Sequence, residues 1–157
     1  MKRIILYCLI LGGVLAIPVE KLDVGDLEPV QAVWVYQEQD QIVLETDTED
    51  RGMGQTVDEA LGDLEAHCLG IIYLDTAQYL LVSENTTDRI EALRRHLKGS
   101  VELCLWDGQG SVEDAAKYMS AHENGYSLKA WNEGVKLPVL TLKKTNEKNV
   151  EKSEKSS

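Results

Sequence analysis

The chain has 157 residues, enough for one domain with its own core, and it carries 27 Asp and Glu against 16 Lys and Arg. The resulting formal net charge of −11 repels phosphate backbones and anionic lipid headgroups. Nucleic acid and a peripheral membrane surface are therefore excluded as expected partners.

The first residues have the layout of a secretory signal. Lys2 and Arg3 precede an uncharged apolar run at residues 4–17, its far end is rich in small residues, and Pro18 follows. As a helix the run would be roughly 21 Å long, against about 30 Å for a bilayer core. We expect residues 1–16 to be a signal peptide, with an uncleaved N-terminal anchor as the alternative. Either way the protein is expected to be exported or membrane-associated, and extracytoplasmic. It reaches the membrane through this segment only if the segment is uncleaved.

The other end of the chain differs sharply in composition from the middle. Residues 143–157 hold five Lys, three Glu and a single large apolar residue, Val150. So few apolar side chains cannot offset the entropy of ordering the backbone. We predict a disordered charged tail at residues 143–157 and a single mixed α/β domain at residues 17–142.

The domain begins with a predicted β-hairpin. Residues 30–36 and 41–46 are rich in β-branched and aromatic side chains, and Gln39-Asp40 supplies the turn between them. A polar loop at residues 45–50 continues through Gly52 and Gly54. Its acids lack the glycine and distal glutamate of a dedicated calcium loop, which favours a solvated loop.

Two helices are predicted next, with extended chain between them. Thr56-Val-Asp-Glu59 is a capping box in which the Thr56 hydroxyl accepts from the Glu59 amide and the Glu59 carboxylate reaches the Thr56 amide. Apolar residues at helical spacing continue to Cys68, and Gly70 ends this helix. Residues 71–74 and 78–82 are extended. Thr87-Asp88 is expected to cap a second helix that closes at Lys98 and Gly99.

A third helix lies between the last two predicted strands. Residues 101–106 form a clear strand, and residues 107–110 form a tight turn rich in glycine. Ser111 caps a helix that Gly125 ends, and residues 137–142 form a last strand with Pro138 at an edge position. The alternating middle section predicts an α+β fold, a mixed sheet with an N-terminal β-hairpin and three helices packed on it.

Few residues stand out as candidates for a site. Cys68 and Cys104 could close one disulfide outside the cytoplasm, or they could be two buried small hydrophobes. Trp131, which follows the third helix, and Tyr126 are candidate interface residues, although core packing is the favoured role for Trp131.

The sequence predicts no catalytic residue, metal site or cofactor. His67, His96 and His122 each fall late in a predicted helix, where a cation complements the helix dipole, and none has zinc-finger spacing. No Gly-x-Ser-x-Gly elbow or phosphate loop is present. We therefore expect a protein that is not an enzyme.

Several short patterns follow one another between residues 22 and 142. The acidic lead-in to the first strand is Asp23-Val-Gly-Asp-Leu-Glu28, and the Gly-x-Thr-x-x-Glu-Ala-Leu entry to the first helix is Gly54-Gln-Thr-Val-Asp-Glu-Ala-Leu61. An arginine-bearing helix, Leu93-Arg-Arg95, precedes the strand Val101-Glu-Leu-Cys-Leu105. The glycine turn is Asp107-Gly-Gln-Gly-Ser-Val-Glu-Asp114, and the closing segment is Leu137-Pro-Val-Leu140. In this layout the stretch resembles the N-terminal domain of the Ger(x)C family, the C subunits of bacterial spore nutrient-germinant receptors.

The resemblance implies a non-enzymatic role in spore germination. It implies docking with other germinant-receptor subunits or membrane proteins at the spore inner membrane. Two features differ from the family: no lipobox cysteine follows the apolar run, and the sequence ends where the second and third domains would begin. The alternative function is an extracytoplasmic small-molecule binding or sensor module.

Overall fold

The computed structural model describes residues 27–122 and 125–142. The predicted signal or anchor and the predicted charged tail both lie outside the described residues. The described chain forms nine strands, three α-helices and two 3-10 turns, the turns at Leu74–Thr76 and Glu84–Arg89. The strands and helices are β1 (Leu27–Pro29), β2 (Ala32–Glu38), β3 (Gln41–Thr46), β4 (Arg51–Gly54), α1 (Val57–His67), β5 (Ile71–Tyr73), β6 (Tyr79–Val82), α2 (Ile90–Leu93), β7 (Glu102–Trp106), α3 (Val112–Ala121), β8 (Tyr126–Ser127) and β9 (Val139–Leu140).

The main sheet is mixed, as predicted. Its order is β4-β3-β2-β6-β7-β8. The short strand β9 also pairs with β7, nearer the carboxyl end of β7 than β8 does. The hairpin strands β2 and β3 are antiparallel, while β2, β6 and β7 run parallel to one another. The helices that join parallel neighbours pack on the sheet, which confirms the α+β class.

Side chains alternate across the sheet and build two core layers. We call the first the α1 layer: Leu80 and Val82 of β6 pack there with apolar residues of α1 and α2. The second is the α3 layer, in which Leu81 of β6 packs with Ala115 and other residues of α3. The sheet therefore has helices on both faces, and its central strands are almost wholly buried.

The hairpin turn is confirmed, and its backbone explains its sequence. Gln39 and Asp40 both have positive φ, 48° and 68°, as a two-residue turn between twisted strands requires. Asp47, in the predicted polar loop, accepts the backbone N–H groups of Gln31 and Ala32 at 2.9 and 3.0 Å. That carboxylate therefore anchors the start of β2.

The polar loop ends in a strand that the sequence did not predict. Residues 51–54 were expected to continue the loop, but they form β4, antiparallel to β3. A Cβ on Gly52 would stand 2.6 Å from the Leu64 Cβ, and one on Gly54 would stand 2.5 Å from the Ala60 backbone nitrogen. The two glycines are there because α1 lies directly on this edge strand.

The first helix begins as predicted, with one difference in its capping box. The Glu59 N–H donates to Thr56 Oγ1 at 3.2 Å. The Glu59 carboxylate accepts from the Gln55 N–H at 2.8 Å, whereas the sequence predicted the Thr56 amide. At the other end, Cys68 caps the helix through its backbone N–H, which donates to Leu64 O.

The second helix is shorter than predicted. Thr87 and Asp88 do not cap it: they lie inside the 3-10 turn Glu84–Arg89, which runs directly into the single α-turn of α2. The Thr87 hydroxyl donates back to Glu84 O at 3.3 Å, so it satisfies the preceding turn instead of a helix start. Leu97 is buried although it lies beyond α2.

The third helix and the last strand are confirmed in shortened form. Ser111 Oγ accepts the Asp114 N–H at 3.1 Å, and α3 ends at Ala121, before the predicted Gly125. The last strand is reduced to β9, parallel to β7, and the Leu105 N–H donates to Pro138 O at 2.8 Å.

A second, smaller sheet lies apart from the main one. It consists of β1 and β5, which are parallel and pair Leu27 with Ile71 and Pro29 with Tyr73. The predicted extended stretch at residues 71–74 is therefore confirmed for β5, although this strand does not join the main sheet.

Candidate functional site

The two interface candidates from the sequence have different surroundings. Trp131 is 6% exposed and packs in the α1 layer, so it is not an exposed anchor, and the core alternative describes it correctly. Tyr126 is half-buried against the same layer, and its hydroxyl donates to Ala130 O at 3.3 Å. Both side chains hold the segment after α3 against the sheet.

The two cysteines are not joined. Cys68 and Cys104 are both free thiols; Cys68 packs beside the α1 layer, and Cys104 is buried in the α3 layer. They lie in layers on opposite faces of the sheet, so the disulfide alternative is wrong for this structure. Burial raises the pKa of Cys104 to about 12, because the thiolate would lose its hydration.

The three histidines make local contacts. His67 Nδ1 lies 2.9 Å from Asp63 O, and His122 Nδ1 lies 2.9 Å from Tyr118 O, each one turn back on its own helix. His96 instead reaches across to α1, with Nε2 2.9 Å from Asp58 Oδ1. Within residues 27–122 and 125–142, no group of three or more His, Cys, Asp or Glu side chains could hold a metal ion.

An apolar patch is exposed where α1 leads into β5. We define the 69–73 patch as Leu69, Ile71 and Tyr73; Leu69 is fully exposed, and the other two are 45% and 39% exposed. Ile71 and Tyr73 alternate with the buried Ile72 along β5, so they point away from the core. Among residues 28–122 and 125–142, whose side-chain exposure the structure describes, only one other large apolar side chain, Val139, is exposed.

A groove opens beside this patch, between α1, β5 and the segment after α2. It has a volume of about 350 Å³, and Tyr73 belongs both to its wall and to the patch. Its floor is apolar and its rim carries carboxylates, so we call it the acidic groove. The lining residues are Asp58, Leu61, Glu65, Ile72, Tyr73, Leu74, Asp75 and His96.

The acidic groove follows from the amphipathic pattern of α1. Leu61 faces the core at 6% exposed, while Asp58 and Glu65, one turn before and after it, face solvent. Asp75 lies in the 3-10 turn after β5 and adds a third carboxylate. His96 bridges to Asp58, and neither Glu65 nor Asp75 forms an ion pair with any side chain that the structure describes.

A second cleft, of about 500 Å³, lies at the carboxyl ends of β6 and β7. We call it the β6–β7 cleft. Its lining joins the turn after β6, the end of β7 and the segment before β9: Thr87, Asp88, Leu105, Trp131, Glu133, Gly134, Val135, Lys136 and Leu137. In parallel sheets this end is where ligands are commonly held.

A row of aromatic rings lies on the face of the sheet that carries the α3 layer. The Trp34 ring stacks on Tyr36 at 4.0 Å between centroids and tilts against Trp106 at 4.7 Å. Gly108 allows this packing, because a Cβ there would stand 2.6 Å from the Trp34 ring. Burial and the neighbouring Glu45 raise the pKa of Tyr36 to about 12. Neither buried indole N–H finds an acceptor in the described part of the chain.

Sequence reasoning did not find the acidic groove or the 69–73 patch. The helical pattern of α1 could have shown that Asp58 and Glu65 share an exposed face. The signal for the patch was weak, since Leu69, Ile71 and Tyr73 resemble the apolar residues of a buried strand. In the structure, Ile71 and Tyr73 belong to β5, which pairs with β1 outside the main sheet, and Leu69 lies just before this strand.

No α-helix in the part of the chain that the structure describes is long and apolar enough to cross a bilayer. The chain matches no protein-family model, no curated protein and no solved structure.

Proposed function

We propose that this chain is a non-enzymatic, exported or membrane-associated docking domain that acts in spore germination, in the manner of a germinant-receptor C subunit. It works by protein–protein docking with other receptor subunits or membrane proteins at the spore inner membrane. No covalent chemistry and no cofactor are involved.

The observation that supports docking is the 69–73 patch beside the acidic groove. Single exposed apolar residues are normal on a protein surface, whereas adjacent ones mark interaction sites. Of the four large apolar side chains that are exposed within residues 28–122 and 125–142, three lie in this one short segment. Their concentration favours a partner surface.

The germination role is supported by the resemblance of residues 22–142 alone. The patterns quoted for it, such as the Gly54-to-Leu61 entry to α1 and the glycine turn before α3, fall at element starts in the structure. The role is therefore tested in the organism.

The test is a germination assay on spores of the source strain with this gene deleted. Nutrient triggers are compared with calcium dipicolinate, which bypasses nutrient receptors. We expect loss of the nutrient response alone, restored by a wild-type copy of the gene. A normal response to both triggers would overturn the germination role.

A second candidate function is small-molecule binding by a sensor module, which the β6–β7 cleft favours. Its volume of about 500 Å³ falls within the range of ligand pockets, and it combines an apolar floor with polar groups at Thr87, Asp88 and Lys136. A thermal-shift screen of metabolites tests it. A compound that raises Tm for the wild type, but not for the Thr87→Ala, Lys136→Ala variant, would favour the sensor over the docking domain.

A further inference from the structure

We propose that the acidic groove and the 69–73 patch form one docking site for a cationic, amphipathic segment of a partner protein. Such a segment carries lysine or arginine side chains interspersed with large aliphatic ones. The inference rests on the proposed docking function and adds to it the chemistry of the partner and the residues that receive it.

The apolar part of the groove and the 69–73 patch share Tyr73. Leu61, Ile72 and Leu74 lie in the groove, and Tyr73 connects them to Ile71. At about 350 Å³, the groove can receive one or two aliphatic side chains, not a folded surface. The partner therefore presents a segment of chain with apolar anchors that enter the groove and cover the patch.

The charged half of the site determines the sign of the charge that the partner carries. Asp58, Glu65 and Asp75 surround the apolar floor, and the one basic side chain in the lining, His96, is already hydrogen-bonded to Asp58. Glu65 and Asp75 are exposed and form no ion pair with the described residues, so their field is not cancelled locally. Charge complementarity across an interface then requires lysine or arginine on the partner, and it disfavours an acidic one.

The same charges argue against a second copy of this chain as the occupant. A two-fold interface at the groove would bring Glu65 and Asp75 close to their own copies, and like charges brought together disfavour that pairing. Residues 143–157 of this chain are a less suitable occupant, because their five lysines accompany three glutamates and only one large apolar residue, Val150. The tail lacks the apolar anchors that the groove requires.

The first experiment measures the binding of synthetic peptides to the full chain by fluorescence anisotropy. Three peptides of equal length alternate Lys with Leu, Glu with Leu, and Lys with Ser. We expect only the Lys–Leu peptide to bind, and its affinity to fall on the order of tenfold between about 50 mM and about 300 mM salt. Equal binding of the Glu–Leu peptide would overturn the charge argument, and equal binding of the Lys–Ser peptide would overturn the apolar one.

Paired variants localise the binding to the groove. The double variant Glu65→Gln, Asp75→Asn is expected to lower the affinity for the Lys–Leu peptide roughly five- to tenfold. Its control removes the same charge from the hairpin side of the molecule, by Asp40→Asn with Glu49→Gln, and should leave the affinity unchanged. All four side chains are exposed, so the fold should tolerate both variants, which circular dichroism verifies. An equal loss of affinity in both variants would show that the peptide responds to net charge alone, and it would overturn the assignment of the binding to the groove.

A second pair of variants tests the apolar patch. Leu69→Ser with Ile71→Thr should weaken the Lys–Leu peptide roughly tenfold, whereas Val139→Thr, at the other exposed apolar side chain, should have no effect. The tail is tested by replacing Lys148, Lys152 and Lys155 with Gln. A gain in peptide affinity would identify the tail as the occupant and overturn the proposal; unchanged affinity supports a separate partner.

The germination assay separates failure of this site from failure of the proposed function. Deletion spores that keep the nutrient response overturn the germination role, even if the Lys–Leu peptide binds in the groove. Suppose instead that deletion abolishes the response, that the Glu65→Gln, Asp75→Asn gene restores it fully, and that the peptide does not bind. The groove inference is then overturned while the function stands.

Discussion

Burial changes the acid–base chemistry of Cys104, a residue of β7. Its side chain is 1% exposed, between the strand β7 and the helix α3, and its pKa rises from 9.0 to about 12. A hydrogen bond from the Leu140 backbone opposes the rise but does not cancel it. The thiol is therefore a small hydrophobe at neutral pH.

The first prediction concerns thiol reactivity. In a Cys8→Ser background, N-ethylmaleimide at about pH 8 should label Cys68 on the order of 100-fold faster than Cys104, because Cys68 is partly exposed whereas Cys104 is buried and its pKa is raised to about 12. Mass spectrometry of tryptic peptides over a time course measures the two rates. In urea both sites should react alike. Similar rates in the folded protein would contradict the burial of Cys104.

The raised pKa of Cys104 also makes the stability depend on alkaline pH. The unfolded thiol releases its proton near pH 9, and the folded thiol only near pH 12, so the stabilisation is complete below pH 9 and is lost as pH rises towards 12. Relative to pH 8, the free energy of unfolding should fall by about 2 kcal/mol at pH 10.5. Urea unfolding at both pH values measures it.

The control for this prediction is Cys104→Ala, in which that titration is absent. Its free energy of unfolding is lower at pH 8 because a cavity remains, yet its fall between the two pH values should be clearly smaller. Some fall persists, because burial and Glu45 raise the pKa of Tyr36 from 10.0 to about 12 and this group responds in the same direction. An identical fall in the variant would assign the pH dependence to other groups.

At the scale of elements, the packing of α1 on β4 explains why a glycine-rich strand forms the edge of the sheet. Gly52 and Gly54 are buried against the helix backbone. Gly62 lies on the outer face of α1, where a Cβ would have no other atom within 4 Å. A methyl group is therefore excluded by the packing at Gly52 and Gly54, whereas there is space for one at Gly62.

The third prediction uses this contrast. Gly52→Ala forces a methyl group against Leu64 and Ala60 and should lower the free energy of unfolding by about 1–3 kcal/mol. Gly62→Ala adds a methyl group in open space and should raise it by about 0.5–1 kcal/mol, because alanine favours the helix. Chemical denaturation of both variants measures the difference. A neutral Gly52→Ala would contradict the close approach of α1 to β4.

The elements that the sequence predicted well depend on local patterns. The hairpin strand Gln41–Thr46 and the caps Thr56 and Ser111 are set by neighbours within a few residues, and the structure confirms them. The strand Arg51–Gly54 was not predicted, because its two glycines are typical of a loop. Their place in a strand is explained only by the helix that packs on them. Thr87 was misassigned since a hydroxyl can serve a 3-10 turn as well as a helix start.

The candidate site was not predictable in the same way. Asp58 and Glu65 come from α1, Asp75 from the turn after β5, and His96 from beyond α2, so no local motif joins them. The sequence offered Trp131 as a candidate interface residue because its neighbours are polar, while favouring core packing for it. The tertiary packing of the segment after α3 buries that ring, and no local pattern encodes this.

At the scale of the whole molecule, one sheet separates two apolar layers. β6 contributes to both, since Leu80 enters the α1 layer and Leu81 the α3 layer, and both are fully buried. The parallel strands β2, β6 and β7 form the centre on which both layers depend. We therefore expect the domain to unfold as one cooperative unit.

The fourth prediction tests this cooperativity with two neighbouring residues. Leu80→Ala and Leu81→Ala should each lower the free energy of unfolding by about 2–5 kcal/mol, because each leaves a cavity in a different layer. Hydrogen exchange by mass spectrometry then follows α1 and α3 separately in each variant. If the layers unfold together, either substitution reduces amide protection by the same factor in both helices, since the slowest amides exchange through global unfolding. Exposed Leu69→Ala, as the control, should change neither helix. Loss of protection confined to α3 in Leu81→Ala would instead mean that the α3 layer opens alone, leaving the acidic groove and the 69–73 patch on a core that is stable without it.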